Sequence, residues 1–234
     1  MTTEKLNADY EEILKDTIFP FFKSFKFRKK GQNFARTSND IIQTFTVQKN
    51  LITTSIDILH FSFNFGFFNN EIHKIAFDTD DVIDFPITSE CFIHTSLGLY
   101  SHKRDHWYEL SSRINTKNVA GNVKDDLENH LKPLFNTYKS LDDLGRFTEH
   151  YGGNKLITSQ YEYIVFLMQT GQREKGKMVI RDTYMKAMAM KGRDYTNQFP
   201  YTQSETTEPD LKKLYLDNIK RLARLYDVQL GAVK

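Results

Sequence analysis

The run Ile56-Asp57-Ile58-Leu59-His60-Phe61-Ser62-Phe63-Asn64-Phe65-Gly66-Phe67 decides the fold class. Its period is two. Asp57, Leu59, Phe61, Phe63, Phe65 and Phe67 share one face, and Ile56, Ile58, His60, Ser62, Asn64 and Gly66 share the other. Five of the six residues on the first face are large and apolar, so that face is buried. The second face grows more polar toward Asn64, the pattern of an antiparallel sheet covered by helices on one side. Upstream, Asn33–Ser38 and Asp40–Asn50 are β-rich runs joined at Asn39-Asp40, a turn-favouring pair. Downstream, Cys91–Tyr100 predicts a strand with Cys91, Ile93, Thr95, Leu97 and Leu99 on one side, and Trp107–Leu110 closes the sheet. Between them, Asn69-Asn70 and Asp84–Pro86 bracket an acidic stretch that reads as a loop or short edge strand.

Helices flank this core. Leu6, Tyr10, Ile13, Leu14, Thr17, Phe21, Phe22 and Phe25 recur at spacings of three and four, with Pro20 predicting a kink or a second short helix. Val123, Leu127, Leu131, Leu134 and Tyr138 repeat the pattern, with Pro133 inside it. After the break Tyr151-Gly152-Gly153-Asn154 come three helical segments, 157–170, 172–191 and 209–229, the last two joined by a polar connection. The reading is α+β: an antiparallel sheet packed against N-terminal and following helices over residues 1–150, then an all-helical extension over 151–234.

Composition bounds what such a chain does. The 234 residues carry 32 Lys and Arg against 30 Asp and Glu, a net charge of +2. A single cysteine, Cys91, excludes a disulfide framework and a multi-cysteine zinc ribbon. Residues 1–12 lack the apolar segment of a signal peptide, and no apolar run approaches the roughly 20 residues that span a bilayer. The expectation is a soluble, cytoplasmic protein with no membrane partner. Of 19 phenylalanines, 15 lie between Phe19 and Phe92, so the aromatic excess is assigned to packing.

Several residues in order resemble a known family: Pro20–Phe27, Arg28–Arg36 with its internal Gly31 and Phe34, Val47–Asn50, Asn64-Phe65-Gly66 and Asp105–Tyr108. Together they resemble the bacterial family called domain of unknown function 4304, over about residues 9–140. The resemblance implies an α+β fold and brings no catalytic residue, cofactor or substrate. The helical extension lies outside it.

Several motifs compete for chemistry. Gly171–Met178 has the spacing of a phosphate loop, but Met178 stands where the magnesium-binding hydroxyl belongs. It reads instead as a helix boundary in a hairpin of tetratricopeptide type, with Gly176 at a close helix approach. Cys91-x-x-His94 precedes His102, His106 and Glu109, which have helical ligand spacing, but Cys91 and His94 would face opposite sides of a strand and Ser101–Asp105 reads as a charged turn, so no metal and no cofactor are assigned. The polar face of the sheet offers His60 and Asn64, with Arg36 and Gln48 as candidate ligand-binding neighbours. Basic runs at 26–36 and 173–193 nominate Lys29, Lys30, Arg173, Lys177 and Arg181 for phosphate contacts, but the overall charge argues against a nucleic-acid partner. Without a recognisable nucleophile or paired carboxylates, the preferred role is a non-enzymatic binding or interaction domain with a protein partner, of adaptor or immunity type. Met178, Met185, Met188 and Met190 offer an adaptable contact surface, although core packing is their more ordinary use. The alternative is a small-molecule or enzymatic site on the polar sheet face.

Overall fold

A computed structural model of the chain describes residues 3–50, 58–102, 104–151, 156, 159–189 and 208–231. Helix α1 (Thr3–Ile13) passes through a π-helical turn at Leu14–Ile18 into α2 (Phe19–Ser24). Pro20 sits in the first turn of α2. A proline lacks its N–H and crowds the carbonyl four residues back, and the widened turn accommodates both effects. The expected kink therefore takes the form of a π turn.

Strands β1 (Arg28–Lys30), β2 (Asn33–Ser38), β3 (Ile41–Asn50) and β4 (Ile58–Phe68) follow as an antiparallel meander. Helix α3 (Asn70–Phe77) comes next, then a 3₁₀ turn at Thr88–Glu90 and β5 (Ile93–Ser96). The order continues with α4 (Leu97–Ser101), β6 (Tyr108–Ser111), α5 (Thr116–Asp126), a second π turn at Leu127–Leu131, α6 (Lys132–Thr137) and α7 (Leu141–Tyr151). Helices α8 (Gln160–Gln169), α9 (Arg173–Ala189) and α10 (Glu208–Leu225) end the chain. Residues 1–69 with 83–156 form one compact unit, and residues 70–82 with 157–234 form another.

In the first unit β5 and β6 both pair with β4, one beside each half of it. Register sets the two faces. Phe45 lies opposite Phe65, Val47 opposite Phe63, Phe67 opposite Ile93 and Phe61 opposite Tyr108, so the alternate phenylalanines of β4 meet apolar or aromatic partners on each neighbouring strand. Phe22 of α2 stacks on Phe34 and Phe45 at 4.4 Å each, and Phe67 meets Phe135 of α6 and Phe147 of α7. The aromatic excess is core, as expected.

Two sequence expectations change in this unit. The strand predicted over Cys91–Tyr100 stops at Ser96, whose hydroxyl accepts from the Leu99 N–H and caps α4. The closing strand begins one residue later than Trp107, at Tyr108, which takes the core position, while Trp107 is half-buried with its indole N–H on Asp105.

The second unit gathers α3, α8, α9 and α10. Helix α8 is buried along Tyr161–Met168, including Glu162, whose carboxylate meets His73 of α3 at 3.1 Å. Arg221 and Asn218 of α10 donate to the last carbonyls of α3, Ile75 and Ala76. A helix end leaves such carbonyls unpaired, and a cation there is favoured. The segment after Asn69, read as loop or edge strand, is thus a helix: Ile72 and Ala76 are one turn apart and both buried. Gly171 takes φ +78 and separates α8 from α9, so the apparent phosphate loop is a helix boundary. A Cβ on Gly176 would stand 3.0 Å from the Met168 methyl. The connection after residue 191, Met190 and the Gly152–Asn154 break lie outside the described residues.

Candidate functional site

The open face of the sheet carries a cleft of about 580 Å³ between the ends of β3 and β4 and the turn at Thr88–Glu90. Alternation along the strands points Asn33, Thr46, Gln48, Asn64 and His94 to this face. Ile87, Thr88 and Ser89 form its rim. Thr46 Oγ1 lies 2.7 Å from Asn33 Oδ1 and 2.8 Å from Thr88 Oγ1, which is 3.3 Å from Thr44 Oγ1. These hydroxyls make one connected row along the cleft. Beside them the Asn64 amide donates to Gln48 Oε1 at 3.0 Å. Among the described residues, nothing else engages the Gln48 amide nitrogen or the Asn64 amide oxygen.

The lining is neutral. No carboxylate is among the described residues that border the cleft. Lys49 borders it, but its ammonium donates to Asn7 at 2.6 Å on the helix-covered side. Burial lowers the pKa of His94, and its contact with the Cys91 carbonyl opposes that only in part.

This has a pH signature. A folded-state value below the ordinary 6.5 means that the unfolded chain binds the His94 proton more readily. Stability therefore falls as the pH drops through 6.5, and His94→Gln flattens that part of the profile. Urea midpoints measured between about pH 7.5 and 5.5 check it; equal slopes for the two proteins would contradict it.

The sequence candidates separate by face. Gln48 and Asn64 meet in the cleft. His60 lies on the same face further along β4, with Nε2 3.7 Å from Glu109 Oε2. Arg36 lies on the opposite, helix-covered face. There its guanidinium donates to Gln43 at 2.6 Å, to the Phe25 carbonyl at 3.0 Å and to the Phe135 carbonyl at 3.2 Å. The alternation already allowed this, since Arg36 pairs with Gln43 and shares the side of Phe34 and Phe45.

Lys29 and Lys30 are exposed on β1 at the sheet edge, with Lys29 Nζ 4.1 Å from the centre of the Phe19 ring. Neighbouring Arg28 pairs with Asp84 at 2.6 Å. Arg173, Lys177 and Arg181 lie along α9, where Lys177 pairs with Glu174 at 3.0 Å. The two basic segments belong to different units.

The sequence nominates none of Thr46, Thr88, Ser89 and Asn33, and offers His94 only beside Cys91 as a metal spacing. Strand alternation puts Asn33, Thr46 and His94 on the polar side of β2, β3 and β5, while Thr88 and Ser89 lie in a turn with no period to read. What gathers them is the fold of residues 87–89 back over β3, fixed by the Ile87 N–H donating to the Glu90 carboxylate at 2.8 Å.

No curated protein and no solved structure matches this chain. The family model described as domain of unknown function (DUF4304) matches residues 18–137, from the last residue of the first π turn to the end of α6. That span holds the whole six-stranded sheet and the cleft, and amounts to just over half of the chain. The chain belongs to the DUF4304 family.

Proposed function

We propose that the chain is a non-enzymatic binding protein, bacterial and cytoplasmic in setting, which takes an uncharged, hydrogen-bonding small molecule in the cleft. The supporting observation is a neutral lining rich in amides and hydroxyls. A charged ligand entering it would lose hydration without meeting an opposite charge, whereas a neutral polar one exchanges water for amide partners. The volume suits a small molecule, for which about 300–1,000 Å³ is usual. The hydroxyls of Thr46 and Thr88 lie against each other and Asn33 rather than an imidazole or carboxylate, so they lack the activation a nucleophile needs.

The test is mass spectrometry of small molecules released from the purified full chain and from a Gln48→Ala/Asn64→Ala variant. A neutral polar compound that accompanies the wild type and falls about tenfold or more in the variant supports the reading. Equal carriage by both proteins, or no compound in the wild type, overturns it.

A protein partner of adaptor or immunity type is the second reading, and a specific observation favours it. Met178, Met185 and Met188 are exposed on α9, opposite the buried stripe of Gly176, Ile180, Thr183 and Ala187. Flexible thioethers suit contact with a partner, and the α8–α9 hairpin supports comparison with tetratricopeptide pairs. Affinity capture with the wild type and with Met178→Lys/Met185→Lys is the check. Identical sets of captured proteins would remove this reading.

A further inference from the structure

Beyond the cleft, strand β5 runs out into α4, whose C-terminal end contributes to a cluster that the neutral cleft does not use. His102 follows α4, Asp126 ends α5, and His130 lies in the π turn that joins α5 to α6. One ligand atom from each falls within 4.8 Å of the other two. We propose that His102, Asp126 and His130 form a binding site for a divalent first-row transition metal ion, with zinc as the best-suited example.

The distances suit a shared ion, and His102 Nε2 also lies 3.4 Å from Asp126 Oδ2. Asp126 Oδ1 lies 3.2 Å from His102 Nε2 and 3.7 Å from His130 Nε2. The second separation is too long for a hydrogen bond, and the first is at the long end for a charge-assisted one. Two ligands each about 2.1 Å from a common zinc at a tetrahedral angle are themselves about 3.4 Å apart. The observed pair brackets that value.

The carboxylate is built in rather than borrowed from the surface. Asp126 is 9% exposed, and its other oxygen accepts from the buried Tyr108 hydroxyl. That bond orients the carboxylate from behind, as outer partners of metal ligands do. Both imidazoles are about one-third exposed, so an ion has a path in and a solvent-facing coordination position. Two nitrogens and one carboxylate oxygen with an open position are the donor set of a borderline divalent cation rather than of calcium or magnesium.

Backbone features place the ligands. Pro133 follows the π turn just as Pro20 follows the first one, and the widened turn carries Asp126 and His130 on one side. A Cβ on Gly98 would stand 2.6 Å from His106 Cβ and 2.9 Å from the Arg104 carbonyl. Only glycine there lets the loop after His102 lie against α4. In the sequence, Asp126-x-x-x-His130 places two of the ligands one helical turn apart, with His102 remote from both.

Equilibrium dialysis of the full chain against zinc chloride tests the site. About one equivalent should bind, and His102→Ala, His130→Ala and Asp126→Asn should each weaken binding about tenfold or more, while His150→Ala leaves it unchanged. Cobalt(II) supplies a second readout: a visible absorption band present in the wild type and lost in the two histidine variants. The histidines are on the surface, so their variants test the site even if Asp126→Asn fails to fold. No zinc binding at micromolar protein, or equal binding by wild type and histidine variants, overturns the proposal.

Discussion

Phe45→Ala is expected to destabilise the first unit by about 3–5 kcal/mol, the range for deleting a fully buried aromatic side chain. Phe45 is 0% exposed and lies at the centre of the sheet. Its ring meets Phe22 at 4.4 Å, Phe63 at 5.2 Å and Phe34 at 6.0 Å. These neighbours come from α2 and from both adjoining strands, so the cavity left by alanine cannot close without shifting the helix relative to the hydrogen-bonded sheet. Much of the loss is therefore retained rather than relaxed away. Urea unfolding followed by near-ultraviolet circular dichroism measures it. Ile58→Ala, at a residue 38% exposed on the other face, should change the midpoint little. Comparable losses in the two variants would refute the assignment of the covered face.

Gln43→Leu is the second large effect, about 2–4 kcal/mol, since it strands buried polar groups rather than opening a cavity. Gln43 is 0% exposed. Its amide nitrogen donates to the carbonyls of Phe135 at 2.9 Å and Tyr138 at 2.6 Å, at the end of α6, and its oxygen accepts from Arg36. Leucine has a similar volume but leaves the Tyr138 carbonyl and the Arg36 Nε–H without these partners. Arg36→Lys should also destabilise, since an ammonium cannot reproduce the planar fork that serves Gln43 and two helix-end carbonyls. Gln48→Leu, in the open cleft, is expected to stay within about 0.5 kcal/mol. This contrast separates a structural arginine from a ligand-binding one. If Arg36→Lys keeps full stability yet loses a cleft ligand, the placement of Arg36 in the helix-end network fails as its explanation.

The candidate site was legible only in part. Gln48 and Asn64 are legible because alternation along β3 and along β4 assigns each a face without any tertiary information. Arg36 could not be ranked in the same way, because its charge suggests an open face while its register places it beside Phe34 and Phe45. Two helix ends with unpaired carbonyls override the usual cost of placing a guanidinium there. Thr88, Ser89 and His94 come from β5 and the loop before it, and Asp126 and His130 from a helix, so only chain folding brings each set together.

What the sequence by itself determined is the α+β class, the covered face of β4 and the helix-rich C-terminal segment. Each rests on a local period, two or 3.6 residues, repeated often enough to bury apolar area on one side. The tertiary structure alone decided that Asn70–Phe77 is a helix of the second unit. Two buried residues, Ile72 and Ala76, are too few for a period to show, and α10 supplies the donors that its end requires. It also decided that Leu97–Ser101 leaves the sheet, because the capping hydroxyl of Ser96 and the close approach at Gly98 outweigh a strand-like alternation. That departure carries His102 toward Asp126 and His130.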